Sequence, residues 1–183
     1  MPRIRPVARS MAAGRSKALL ETAQATLGNT PNMVRTLARS QAALDSFLAM
    51  SAALSRGVLL AKARGQIALA VANENGCDYS ASAYAALGRK SGLSETEIDE
   101  SLEGRARNPR MQGLLDFSRA VVAKRGKVSD SDIAAARAAG VSDAELIETV
   151  AHVALNLFAN YVNHVAATEI DFPLVETPKR GRN

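Results

Sequence analysis

Between Glu148 and Glu169 the chain runs for twenty residues, 149–168, without a charged side chain. That length could cross a membrane as a helix. It contains His152, Asn156, Asn160, Asn163 and His164, and polar groups of this kind are costly in hydrocarbon. The stretch therefore argues for a helix covered by protein, not lipid. Val150, Val153, Leu157, Tyr161 and His164 form one helical stripe. His152, Asn156, Asn160 and Asn163 form a second, at spacings of four, four and three. A charge-free helix with an amide-rich second stripe needs cover on both sides. Asn amides can satisfy one another or the backbone where a charge would need a counterion. The sequence reading is a central helix whose second stripe, His152, Asn156, Asn160 and Asn163, meets another subunit.

The rest of the chain also reads as helices. Aromatics make up 4% of the residues and Trp is absent, so the core must come from Ala, Leu, Val and Ile in closely packed helices. A helix is expected over 15–28, ended by "GNTPN" at 28–32, where Asn32 can cap the next. That next stretch runs to about Ser55 with an interruption near Arg39-Ser40, and another runs from Leu59 to Asn73. Asn75-Gly76 is a turn signal, after which Cys77 opens a helix ending near Ser91-Gly92. Ser94 with Glu97, and Ser142 with Glu145, have the spacing of capping boxes. Asn108-Pro109 opens a helix, Ser129 begins a short one ended by Gly140, and the last runs from about Asp143 to Thr168. No strand alternation appears. The expectation is one all-α domain of about eight helices at 14–173, preceded by a basic segment at 1–13 and followed by an irregular tail at 174–183. A chain of 183 residues suits one domain with a substantial core.

The net charge of +5 sits at the ends. Residues 1–40 hold seven basic side chains against one acidic, whereas 41–175 hold thirteen against sixteen. No nucleic-acid reader motif accompanies the basic ends, so they read as solvated termini. Met1-Pro2-Arg3-Ile4-Arg5 is basic, but no apolar run follows before Arg9-Ser10, which argues against a secretory signal. A single Cys suits a reducing compartment, and the expected location is the cytoplasm. His152 and His164 lie twelve residues apart, too far to share one metal unaided. With no cluster at metal spacing, no phosphate loop and no nucleophile elbow, neither a metal nor a cofactor is expected. Glu74 reads as a solvated helix-end carboxylate.

The chemistry-bearing stretch is "ENGCDYSASAY" at 74–84. It has the cadence Cys-x-x-Cys-x-x-x-His with Cys77 kept, Ser80 at the second Cys and Tyr84 at the His. At a helix start, unsatisfied N–H groups and the dipole favour a thiolate. A second Cys one turn on could close a disulfide, and a His four residues further could move a proton. Two readings of Cys77 stand: a small buried hydrophobe, or a lone reactive thiol.

These residues resemble the carboxymuconolactone decarboxylase and alkylhydroperoxidase D superfamily, more closely its peroxidase-related branch. The segments that carry the resemblance are "GRSKALLETAQATLGNTPNMVRTLARSQAAL" at 14–44, "GQIALAVANENGCDYSASAYAALGRKSGLSETEI" at 65–98 and "AHVALNLFANYVNHVAATEIDFP" at 151–173. The resemblance implies an all-α, alkylhydroperoxidase D-like fold assembled as a trimer or hexamer. It also implies a two-thiol cycle on a small hydroperoxide: one thiol is oxidised to sulfenic acid and the other resolves it as a disulfide. A His and a Glu on the preceding helix relay protons in the redox members. Here Gly65 stands at the Glu position, Ser80 at the second Cys and Tyr84 at the His. Ser80 cannot form a disulfide, and Tyr84 is a poor proton shuttle near neutral pH. Gly65 is expected to admit the bulk of Tyr84. Three functions are carried forward: a peroxidase-related protein with two-thiol activity lost or very low, a one-thiol peroxidase using Cys77, and a non-catalytic binding or regulatory protein.

Overall fold

Ser94, Ser129 and Ser142 each accept a bond from the backbone N–H three residues on, and Glu97, Asp132 and Glu145 reach back to the cap residue's own N–H. These reciprocal bonds satisfy donors that a helix start otherwise leaves open. Such local signals fix most boundaries in the computed structural model, which describes residues 1–8, 14–27 and 30–178. The helices are α1 (Gly14–Leu27), α2 (Asn32–Leu37), α3 (Gln41–Leu54), α4 (Ala61–Glu74), α5 (Asp78–Lys90), α6 (Glu95–Leu102), α7 (Pro109–Ala123), α8 (Asp130–Ala138) and α9 (Asp143–Ala166). Nine helices are present among the described residues where about eight were expected, because the interruption near Arg39-Ser40 is a full break. Ser40 caps α3 there, its side chain accepting from the Ala43 N–H at 3.3 Å. No strand occurs among the described residues. Gly28, expected to end α1, lies outside them.

Asn32 is not the cap of α2; Pro31 holds that position. The Asn32 N–H donates instead to Asp171 Oδ2 at 2.8 Å, and its side-chain amide donates to the Glu169 carbonyl at 2.9 Å. The α2 start is thus satisfied by the segment that follows α9, which no local pattern reveals. At the other end of α9, Ala167 adopts a left-handed conformation with φ 48, and Thr168 N–H returns to the Asn163 carbonyl. The helix therefore stops two residues short of the expected Thr168.

α4 is the central helix, packed against α5, α6, α7 and α9. Its residues from Gln66 to Ala72 are buried in an unbroken run, as expected of a helix with neighbours on every side. One apolar core joins α1–α3 to Cys77, Tyr79, Leu155 and Ala159, and a second joins α4 to α7, α8 and α9. A third lies between α4, α5 and α6. No helix among the described residues is long and apolar enough to cross a membrane.

The reading of α9 needs correction. His152, Asn156, Asn160 and Asn163 are only 5%, 2%, 0% and 5% exposed, covered by the chain's own helices. They do not offer a surface to a second subunit. The amide of Asn156 donates to the His152 carbonyl, that of Asn160 to the Val71 carbonyl, and that of Asn163 to Ser80 Oγ. Neutral amides can be buried in this way because each amide nitrogen finds a partner inside. The exposed face of α9 is the apolar one, with Ile147, Val150, Tyr161 and Val165 outward. Glu74 also departs from expectation. Its carboxylate is covered and pairs with Arg119 Nε at 2.7 Å.

Candidate functional site

The turn between α4 and α5 sets the site. Gly76 takes a left-handed φ of 61, a conformation that suits glycine. The Cys77 N–H then returns to the Ala72 carbonyl at 2.9 Å, and Cys77 becomes the N-cap of α5. Its sulfur makes no capping bond. The thiol instead donates to Ser80 Oγ at 3.3 Å. Asn163 Nδ2 donates to the same oxygen at 3.4 Å, so Ser80 ties the start of α5 to α9. Cys77 and Ser80 are each 2% exposed.

Two cavities adjoin this constellation. One, of about 310 Å³, has mostly apolar walls that include Met33, Phe47, Leu87 and Phe172, with Ser80 and Tyr84 among its polar points. The other, of about 280 Å³, is walled in part by Gly65, Tyr84, His152 and Asn156. Tyr84 lines both, and Cys77 lines neither. Burial pushes the Tyr84 phenol up to about 12, with Cys77 adding in the same direction. The phenol therefore keeps its proton at neutral pH and serves as a hydrogen-bond donor.

Gly65 does not make room for Tyr84. A Cβ built there would touch only Leu93 Cδ1, at 3.5 Å, with no Tyr84 atom within 4 Å. The two residues face one cavity without packing on each other. Of the sequence-predicted site residues, Ser80 and Tyr84 come together on the first cavity, and Gly65 and Tyr84 on the second. Cys77 sits behind Ser80. His152 and Asn156, expected at an interface, join Gly65 and Tyr84 in the second cavity, while Asn163 touches Ser80 and Asn160 bonds α4.

Sequence reasoning missed Glu148, one helical turn before His152. Its carboxylate accepts from the Val58 and Leu59 N–H groups at 2.6 and 2.9 Å, and lies 3.7 Å from His152 Nε2. The i, i+4 spacing of Glu and His was the available signal. It also missed the latch made by Tyr79, whose hydroxyl accepts from Met33 N–H at 3.0 Å and donates to Asp171 Oδ1 at 2.8 Å. Burial and the Asp171 carboxylate hold that phenol far above the usual tyrosine range, although the Met33 bond opposes them.

Burial lowers the pKa of His152; Arg64 acts in the same direction and Glu148 against it. Its folded pKa lies below its unfolded value near 6.5, so the unfolded chain binds the extra proton more readily. Stability on this account falls as pH drops below about 6.5. Glu97 and Glu145, whose pKa values are lowered by capping and ion-pair bonds, add their losses only at lower pH. Urea unfolding between about pH 7 and pH 5 should show this decline, and His152→Gln should flatten it.

The match to known proteins agrees with this geometry. The model of the carboxymuconolactone decarboxylase family matches residues 38–108, the segment holding Gly65, Cys77, Ser80 and Tyr84. No curated protein sequence matches the chain. Among solved structures, a peroxidase-related protein from Ralstonia eutropha JMP134, described as an alkylhydroperoxidase AhpD core, superposes with a TM-score of 0.83 at 22% identity, over 93% of this chain and 92% of that one. A peroxidase-related protein from Silicibacter sp. TM1040 gives 0.78 at 21% identity, over 91% of each chain. The debrominase Bmp8, as a cysteine-to-alanine variant in complex with 2,3,4-tribromopyrrole, gives 0.79 at 17% identity, over 92% of this chain and 91% of that one. The family model thus matches the α3–α6 segment, and the chain shares its fold with these structures across more than nine-tenths of its length.

Proposed function

We propose that this is a peroxidase-related member of the superfamily that has lost two-thiol peroxide reduction and instead binds a small apolar molecule in the 310 Å³ cavity. One observation carries the reading: the thiol is sealed behind Ser80 and contributes to neither cavity wall. A two-thiol cycle needs a thiolate that meets the peroxide and a second sulfur that resolves the sulfenic acid. Cys77 meets nothing from solvent, and Ser80 has no sulfur to offer. The same burial weighs against the one-thiol alternative.

What remains is a cavity of a size and character that suit a small apolar ligand, with the Ser80 and Tyr84 hydroxyls as orienting groups. The Bmp8 complex, whose ligand is 2,3,4-tribromopyrrole, supports a small aromatic guest for this fold. In this reading the protein acts in the cytoplasm as a homo-oligomer, a trimer or hexamer, and the exposed apolar face of α9 is the surface available for assembly.

Calorimetry with 2,3,4-tribromopyrrole tests the proposal. Saturable binding is expected, and Ala83→Trp, which fills the cavity from its wall, should weaken it at least about tenfold. No binding by the parent protein, or binding that Ala83→Trp leaves intact, would contradict the assignment.

A further inference from the structure

The second cavity holds polar groups that the first reading does not use. The Tyr84 hydroxyl, which keeps its proton at neutral pH, is a donor on its wall. His152 Nε2 and Asn156 Oδ1 are buried and have no hydrogen-bond partner there, the 3.7 Å separation from Glu148 being too long for one. The residues that carry these atoms line the same 280 Å³ space. Buried polar atoms are nearly always satisfied, so two open ones on one cavity wall point to an occupant. Charge narrows its chemistry. Arg64 and Lys90 also line the cavity, and no carboxylate does.

We propose that this pocket between α4, α5 and α9 is a second binding site, which takes a small organic anion through hydrogen bonds from Tyr84 and His152 and takes up a proton on His152 as the anion enters. Tyr84 holds its proton and so donates to an anionic oxygen. A neutral imidazole can offer one donor, and an imidazolium two. The groups that set its protonation are few. Glu148 on α9 stabilises the imidazolium, with its own charge engaged by the Val58 and Leu59 N–H groups. Arg64 on α4 opposes protonation, while its guanidinium also donates to the Leu59 and Ser55 carbonyls. α5 brings Tyr84 and Lys90, and α3 brings Ser51, with Ser55 just beyond its end. On α7, Arg110 is paired with Glu145, two turns from His152 along α9. An arriving anion offsets the Arg64 field and raises the imidazole's proton affinity. By linkage, protonation must then tighten the anion.

The two cavities share Tyr84 and Leu87 in their walls, but each proposal is read with its own probe and its own site-specific signal, so the two fail separately. The probe is benzoate, with benzamide as its uncharged counterpart, and the readout is the NMR titration of the His152 ring with each at saturation. Benzoate should move the midpoint up by about one pH unit, equivalent to roughly tenfold tighter binding to the protonated ring than to the neutral one. Benzamide should leave it in place. Tyr84→Phe should weaken benzoate about fivefold, His152→Gln should remove the pH dependence, and Ala83→Trp, in the other cavity, should change neither. A midpoint that benzoate does not move, or that benzamide moves equally, overturns the proposal. Because the parent protein's own ring is read, that outcome decides the matter even if a variant fails to fold.

Discussion

Replacing Gly65 by Glu, Ser80 by Cys and Tyr84 by His together is expected to give a protein that reduces hydroperoxide roughly 100-fold faster than its parent, the lower range for a restored acid–base group. The geometry is already close. Cys77 Sγ lies 3.3 Å from Ser80 Oγ, so a sulfur in place of that oxygen needs a modest rotamer shift to reach bonding distance, about 2.05 Å. A side chain at position 65 meets only ordinary contact with Leu93, leaving a carboxylate free to enter the second cavity. Replacing Tyr84 with the smaller imidazole opens the wall that both cavities share. Ser80→Cys alone should form the disulfide under oxidant yet turn over slowly, for want of the proton relay. A triple variant that forms the disulfide but shows no gain in thiol-dependent peroxide consumption would mean that the pocket has diverged in shape as well as in its chemical groups.

The second large effect is on stability. Glu148→Ala is expected to cost about 2–4 kcal/mol, because it strands two backbone donors and removes charge-assisted bonds. The Val58 and Leu59 N–H groups point at this carboxylate from the segment that leads into α4. The fit there is close enough that a Cβ at Gly57 would collide with the carboxylate. With that carboxylate gone, the start of the central helix loses its tie to α9. Glu148→Gln keeps an acceptor oxygen and should lose about half as much. Urea unfolding measures both, and a loss below about 0.5 kcal/mol for Glu148→Ala would show that water replaces the carboxylate without penalty.

The helices were legible because their boundaries are written locally. Ser94, Ser129 and Ser142 each announce a start three residues before an acid, and the turn at Asn75-Gly76 announces the start of α5. What the sequence could not show was cover. The Asn side chains of α9 read as polar and hence as a surface for another subunit, yet their amides meet Val71, Ser80 and the His152 carbonyl inside the fold. Burial depends on which helix lies opposite, and that is a long-range fact. Asn32 failed as a cap for the same reason, since its partners lie more than 130 residues away. The site was half legible. The spacing from Cys77 to Ser80 and Tyr84 gave the α5 face, but His152 and Glu148 enter from α9, and only the fold brings them to Gly65.

The most direct test of the account is the state of Cys77 after hydroperoxide treatment of the folded, unaltered protein, read by intact mass alongside peroxide consumption in the presence of added thiol. A thiol sealed behind Ser80 should stay unmodified and sustain no turnover, while the same treatment in urea oxidises it. Rapid oxidation of Cys77 in the native protein, coupled to steady peroxide consumption that Cys77→Ser abolishes, would contradict the account.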